Sequence, residues 1–212
     1  MALKQFWKRS AKTQTTNRLY HPRIKVIGIG NAGCSVISRM HPNKALGVEY
    51  YAINTDLRQL SNTDADYHIP LGSIYGGGLG CGARPSLARQ YAEEDRYEIK
   101  KAVEGADLVI LTGGLGGGTG TGAGPVVAGV ARESGASTIA IFTMPFSFES
   151  FARRRNADEG IGKLDNSVDC LITIPSDHVI EQIRPRVETT WEEALSLSYS
   201  TLQEGVQTLI EF

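Results

Sequence analysis

Hydrophobic runs alternate with helix-like stretches from residue 24 to the end of the chain. Short runs rich in branched and aromatic residues predict strands over residues 24–29, 48–54, 67–70, 107–112, 137–143 and 168–174. The sequence between them predicts one helix that ends at Met40 and three more helices, over residues 85–103, 122–133 and 150–164. Several strands are almost continuously apolar, as in a parallel sheet covered by helices on both faces. The pattern therefore predicts a doubly wound α/β domain with a mostly parallel sheet.

A final helix is predicted from residue 189 or 190 onwards, where Thr190 and Glu193 have the spacing of a capping box. Its apolar residues fall on one stripe about 100° wide, and they are Trp191, Leu195, Tyr199, Leu202, Val206, Leu209 and Ile210. The opposite side carries Glu193, Ser196, Ser200, Glu204, Gln207 and Glu211. We expect this helix to cover a core on one side and to face water on the other.

The length and the cysteines indicate a single domain in a reducing compartment. The 212 residues are close to the common domain size of about 100 to 200 residues. Cys34, Cys81 and Cys170 are odd in number and show no zinc-ligand or CxxC spacing. No run of about 18 apolar residues predicts a membrane span, and the N-terminus lacks the apolar core of a secretory signal. We therefore expect a cytoplasmic protein.

Charge divides the chain into a basic tail, residues 1–22, and an acidic domain, residues 23–212. Residues 1–25 hold seven basic side chains and no acid, which leaves 15 basic against 23 acidic residues in the remainder. In residues 1–12, Leu3, Phe6 and Trp7 have helical spacing and lie among basic residues. This stretch is either a weak anchor to an anionic membrane, at the inner face of the cell membrane, or a solvated leader. We expect no nucleic-acid partner.

Three glycine-rich turns each join a predicted strand to a helix. Residues 28–33 (GIGNAG) match GxGxxG, which alone fits a nucleotide site, a tight structural turn or a dinucleotide-dependent oxidoreductase. Residues 113–122 (GGLGGGTGTG) place seven glycines and two threonines after the fourth strand. Successive N–H groups that converge on an anion are the simplest reason for such a run, which we call the phosphate cradle. No Lys follows it, so it is not a Walker motif, and an oxidoreductase has no use for a second cradle.

The third glycine-rich turn, residues 76–83 (GGGLGCGA), precedes Arg84 and Pro85. A flexible surface loop is the alternative interpretation. Ligands of open α/β sheets bind beyond the carboxyl ends of the strands, so three such turns would surround a polyphosphate. Cys34 and Cys81 lie in two of these regions, where helix N-termini can lower a thiol pKa. Small packed residues are the interpretation that we favour for both cysteines.

The cradle and four shorter segments resemble FtsZ and the wider tubulin superfamily over residues 24–211. The segments are residues 54–56 (NTD), 78–83 (GLGCGA), 145–149 (PFSFE) and 174–175 (IP). The resemblance implies a Rossmann-like nucleotide-binding domain that holds GTP or GDP, with Mg²⁺, and a protein that forms or regulates filaments. It implies self-assembly or assembly with a full-length FtsZ-family protein.

The resemblance also assigns site residues by position. Phosphate, ribose or base contacts are implied for Gly30, Asn31, Ala32, Ser35, Arg39, Asn54, Thr55, Asp56, Cys81, Gly82, Gly114, Gly116, Gly117, Gly118, Thr119, Gly120, Pro145, Glu149, Arg153, Ser176, Leu195 and Tyr199. Asn54, Thr55, Asp56, Cys81 and Gly82 would lie near the γ-phosphate and magnesium. Individual metal ligands stay open. Glu149 and Arg153 are also four residues apart, on one helix face.

Three departures from the family pattern concern the base and the chemistry. Ser176 replaces the usual Asn after Ile-Pro. Leu195 and Tyr199 stand where the family has an aromatic residue and an acid, so no carboxylate at Tyr199 accepts from guanine. The resemblance ends at the central helix, without the activation domain and its acidic loop. We therefore predict no catalytic residue in this chain and slow hydrolysis. An active GTPase that takes an acidic loop from a partner or an assembly contact is the alternative. The polar outer face of the last helix favours a naturally short protein over a fragment.

Overall fold

Six parallel strands form one sheet in the order β3-β2-β1-β4-β5-β6. The computed structural model describes residues 21–74, 76–182 and 190–211. The strands are β1 (Ile24–Ile29), β2 (Val48–Asn54), β3 (Tyr67–Pro70), β4 (Leu108–Gly114), β5 (Ser137–Met144) and β6 (Cys170–Pro175). All five strand pairs are parallel. This confirms the predicted doubly wound α/β class.

Eight α-helices lie between or after the strands within the described residues. They are α1 (Gly30–Met40), α2 (Leu57–Ser61), α3 (Pro85–Glu94), α4 (Arg96–Val103), α5 (Thr119–Glu133), α6 (Phe151–Asp165), α7 (Asp177–Gln182) and α8 (Trp191–Ile210). One 3₁₀ turn covers His41–Asn43. None of the described helices is both long enough and apolar enough to cross a bilayer. The amphipathic stretch predicted in residues 1–12 lies outside the described residues.

Both faces of the sheet are buried, which explains the near-continuous apolar strands. Alternate side chains of β1 separate to opposite faces. Ile27 belongs to a core that includes residues of α4 and α5, whereas Val26 belongs to a core that includes residues of α1 and α8. Leu202 and Val206 of α8 are fully buried in the second core. Helix α8 therefore closes one face of the sheet beside the carboxyl edge.

Lys25 is a buried charge whose hydrogen bonds explain its place in β1. Only 8% of its surface is exposed, and its Nζ donates to the carbonyls of Ala102 (2.7 Å) and Glu104 (3.1 Å) at the end of α4. Its Nζ also lies 3.4 Å from the Glu49 carboxylate. The ammonium group therefore satisfies carbonyls that the helix end leaves without donors.

The structure corrects several expectations about helices. The predicted helix over residues 85–103 is interrupted at Asp95, whose carboxylate accepts from the Gly72 N–H at 2.6 Å. Helix α5 begins at Thr119, three residues earlier than predicted, and the short α2 and α7 were not predicted. The capping box of Thr190 and Glu193 is confirmed. Ser196 and Ser200 do not simply face water, because both hydroxyls accept from Arg39 of α1.

Candidate nucleotide-binding site

The carboxyl ends of the central strands open into a cavity of about 440 Å³. Residues of all three glycine-rich turns, of the β5–α6 connection and of α8 form its wall. The cavity lies where strand order reverses, between β1, which leads to β2, and β4, which leads to β5. Ligands of open α/β sheets bind at this switch point.

Two helices begin at the cavity. Helix α1 begins at Gly30 and α5 begins at Thr119, and neither N-cap residue makes a side-chain capping bond. Gly30, Asn31, Thr119 and Gly120 all line the cavity. Unpaired N–H groups and the positive ends of two helix dipoles converge here, so this end of the cavity suits an anion such as phosphate.

The glycines differ in what a side chain would meet. A Cβ at Gly33 would lie 2.6 Å from the Thr112 carbonyl oxygen, and one at Gly113 would lie 2.8 Å from that of Ile29. These glycines let α1 and the central strands pack closely. A Cβ at Gly117, in contrast, would have nothing within 4 Å, although Gly117 lines the cavity. The space beside Gly117 is therefore available to a ligand.

Polar side chains at the end of β2 bond to the starts of α1 and α5 at the cradle end. The Asn54 amide donates to the Asn31 side-chain oxygen at 2.9 Å, and the hydroxyls of Thr55 and Thr119 share a hydrogen bond of 2.8 Å. The Asp56 carboxylate accepts from the Gln59 N–H and caps α2. These bonds connect the end of β2 to the starts of α1 and α5, so the cradle end has a defined shape before any ligand binds.

The other end of the cavity carries a paired carboxylate and aromatic rings. Glu149 accepts from the Phe146 N–H at 2.9 Å through one oxygen and from Arg153 Nε at 2.7 Å through the other. The rings of Phe146, Phe148 and Trp191 contact one another, with centroids 5.1 to 5.7 Å apart. Phe146 and Trp191 also line the cavity. This end combines apolar area with fixed polar groups, as small-molecule sites do.

The cavity wall carries few charges. Within the described part of the chain, the charged lining residues are Asp56, Glu149 and Arg153, and the last two neutralise each other. The described residues contain no cluster of three His, Cys, Asp or Glu side chains that could hold a metal ion. A cation would therefore take most of its ligands from the bound anion and from water, with Asp56 as the available carboxylate. Mg²⁺ is commonly bound in this way.

Comparison with known proteins decides the family. The model of the Tubulin/FtsZ family, GTPase domain, matches residues 23–184. The chain belongs to the Tubulin/FtsZ family. Cell division protein FtsZ 1 of Archaeoglobus fulgidus is 48% identical over 160 residues, which are 76% of this chain and 44% of that protein. This confirms the resemblance predicted from the glycine-rich segments.

Solved structures agree with this assignment. The empty FtsZ dimer of M. jannaschii has a TM-score of 0.86 and 36% identity, and the match covers 99% of this chain and 58% of that one. CetZ2 of Haloferax volcanii, solved as a GTPγS-bound protofilament, has a TM-score of 0.78 at 22% identity and shows the shared fold. The match covers 88% of this chain and 57% of that chain. The chain spans about half the length of the relatives that it matches.

Most of the site residues that the family resemblance implied come together in the structure. All of them line the cavity except Ser35, Arg39 and Gly116. Ser35 and Arg39 line a neighbouring cleft, which shares Leu195 and Tyr199 with the cavity. Gly116 has φ of +90° and is buried against the Arg153 carbonyl, and its N–H donates to Thr121. Contact of any of these residues with nucleotide stays a prediction.

Several lining residues were not predicted as site residues. Ser198 of α8 lines the cavity, is 2% exposed, and its hydroxyl has no hydrogen-bond partner among the described residues. Trp191 and Phe146 also line the cavity. The sequence placed Trp191 in the apolar stripe of the last helix and Phe146 in a segment that resembles the family, and it predicted no site role for either. Thr143 and Met144 at the end of β5 also line the cavity. Only the predicted carboxyl end of β5 could have indicated the last two residues from sequence.

Ser176 and Tyr199, where the chain departs from the family pattern, both have contacts within the protein. Ser176 is 4% exposed, and its hydroxyl donates to the Met144 carbonyl. The Arg39 guanidinium lies 5.9 Å from the centroid of the Tyr199 ring and donates to Ser196 and Ser200. Arg39 therefore stands behind Tyr199 and attaches α1 to α8.

The cysteine expectations have separate outcomes. Cys34 is fully buried, and burial raises the pKa of its thiol from 9.0 to about 11. The burial and the raised pKa both agree with a small packed residue at Cys34 and oppose an activated thiol. Cys81 is also buried, with its Sγ 3.6 Å from the Thr119 hydroxyl.

Proposed function

We propose that this chain binds a guanine nucleotide in the cavity, with its phosphates on the cradle, and acts in cytoskeletal filaments in the cytoplasm. One observation carries the proposal. Two uncapped helix N-termini and open space beside Gly117 meet at one end of the cavity. A polyphosphate supplies the negative charge and the hydrogen-bond acceptors that match these helix N-termini.

Alanine at Gly117 tests the proposal. The methyl group meets no atom of the protein within 4 Å, so the fold tolerates it, but it enters the space assigned to phosphate. Gly129→Ala is the matched control, because its methyl group is equally unopposed and Gly129 lines a different cleft. We expect Gly117→Ala to weaken binding of fluorescent GDP by at least about tenfold. Gly129→Ala should leave the affinity unchanged. Equal affinities of both variants and the unaltered protein would contradict the phosphate placement.

A divalent cation is part of this proposal. Among the described lining residues, Asp56 is the one charged side chain without an opposite charge beside it, and it is itself acidic. The wall therefore cannot neutralise a triphosphate, whereas Mg²⁺ between Asp56 and the phosphates would. We expect EDTA to lower GTP affinity by at least about tenfold, and Asp56→Asn to lower the Mg²⁺ dependence. GTP binding of equal strength with and without Mg²⁺ would remove the cation from the proposal.

We also propose that the 212-residue chain on its own hydrolyses GTP slowly. Phosphoryl transfer needs a group that positions the attacking water. Among the described lining residues the carboxylates are those of Asp56, which caps α2, and Glu149, which is paired with Arg153. An active GTPase that obtains an acidic loop from a partner or an assembly contact is the second candidate. Phosphate release by the chain alone, and mixed with a full-length FtsZ-family protein, separates the two.

The proposed assembly is either with itself or with a full-length FtsZ-family protein. It rests on the relatives' names, a cell division protein and an FtsZ dimer. Sedimentation with GTP and with GDP tests it, and the absence of a pellet in both mixtures would contradict it. Residues 1–12 are proposed to bind anionic membranes through their aromatic and basic side chains. Equal pelleting with anionic vesicles after removal of those residues would exclude the anchor.

A further inference from the structure

The end of the cavity opposite the cradle is formed largely by α8. We call Ser176, Ser198 and Tyr199, which line it, the hydroxyl end. When the phosphates occupy the cradle, as in the proposed function on which this inference rests, the base must extend toward this end. Leu195 and Trp191 beside these residues supply the apolar contact area that a purine ring needs.

The three hydroxyl groups can each act as donor or acceptor toward a ligand. The Ser198 hydroxyl is buried and has no partner among the described residues. Ser176 donates to the Met144 carbonyl, which leaves its oxygen free to accept. Burial, the largest cause, raises the pKa of the Tyr199 phenol above its usual value, so the phenol stays protonated near neutral pH. A hydroxyl adapts its hydrogen to either kind of partner.

No carboxylate on the described cavity wall is available to the base. Both oxygens of Glu149 already accept hydrogen bonds, from the Phe146 N–H and from Arg153. Asp56 lies with the turn after β2 at the cradle end and caps α2. At position 199 the Tyr199 ring, backed by Arg39, occupies the wall between the cavity and the neighbouring cleft.

This chemistry decides how strongly the site distinguishes purines. Guanine presents two adjacent donors, N1–H and the N2 amino group, which a carboxylate accepts together. Adenine presents an acceptor at N1 beside a donor at N6. A carboxylate repels the N1 acceptor, whereas a hydroxyl can donate to N1 or accept from N6. We infer that the cavity binds adenine and guanine nucleotides with affinities within about tenfold of each other.

Competition measurements on the unaltered protein test the inference. GDP, ADP and IDP, whose base lacks the N2 amino group, each displace a fluorescent diphosphate nucleotide. We expect all three within about tenfold of one another. A preference of more than about a hundredfold for GDP overturns the inference and leaves the proposed function intact. Failure of all three to bind overturns both.

A substitution at Tyr199 supplies an internal comparison. Tyr199→Asp places a carboxylate at the hydroxyl end, and Tyr199→Asn places a side chain of the same shape without the charge. We expect the ratio of ADP to GDP dissociation constants to rise at least about tenfold in the Asp variant only. An unchanged ratio in a folded Asp variant, checked by circular dichroism, overturns the assignment of this end to the base. If the Asp variant does not fold, the three-nucleotide comparison decides alone.

Discussion

Alanine at Gly33 should separate α1 from the central strands and destabilise the whole domain. The added Cβ would lie 2.6 Å from both the Gly28 carbonyl carbon and the Thr112 carbonyl oxygen, whereas real Cβ contacts are almost never under 3.0 Å. Both atoms belong to the backbone of the sheet centre, so α1 must move. Such overpacking costs about 1–3 kcal/mol, and the better helix propensity of alanine offsets up to about 1 kcal/mol.

Because both opposing atoms belong to the backbone, we expect the free energy of unfolding to fall by about 2 kcal/mol. For a domain of this size that lowers Tm by about 4–8 °C. Gly129→Ala is the control, since its methyl group meets nothing within 4 Å and the helix propensity gain is shared. That variant should melt at the same temperature as the unaltered protein or slightly above it. Thermal unfolding followed by circular dichroism gives both values. Equal melting temperatures of the two variants would refute the close-approach reasoning.

Three further predictions concern other parts of the molecule. Lys25→Met leaves the carbonyls at the end of α4 without their donor, so the free energy of unfolding should fall by about 2 kcal/mol. Tm should then fall by about 4–8 °C, and an unchanged Tm would contradict this prediction. The Cys34 thiol, with its pKa raised to about 11 by burial, contributes stability below pH 9 that is lost as the pH rises toward 11. The difference in unfolding free energy between the unaltered protein and Cys34→Ala should therefore shrink over that interval by up to about 3 kcal/mol, and a constant difference in urea titrations would exclude the effect. In a Trp7→Phe variant the emission of Trp191, which lines the cavity, should change on nucleotide binding, and constant emission at saturation would place the ligand elsewhere.

The sequence was sufficient for the class of fold, because the relevant signals are local. Strands β1, β2 and β3 have the predicted bounds, since an apolar run buried on both faces differs clearly from the turns beside it. Thr190 and Glu193 are three residues apart, so the capping box also required no distant partner. The cradle glycines were recognisable for the same reason. Their number exceeds what a packed turn needs, and their place after a strand determines which edge of the sheet they reach.

Only the tertiary structure decided how distant residues combine. The helix predicted over residues 85–103 is interrupted at Asp95, whose carboxylate accepts from the N–H of Gly72, a residue 23 positions away. Arg39 lies behind Tyr199 because serines 157 and 161 positions away accept its hydrogen bonds. Ser198 carries no sequence signal of a site, and its unpartnered hydroxyl follows from how α8 packs on the sheet. Periodicity determines which face of an element is apolar, but the partner that covers this apolar face depends on the three-dimensional packing of the whole domain.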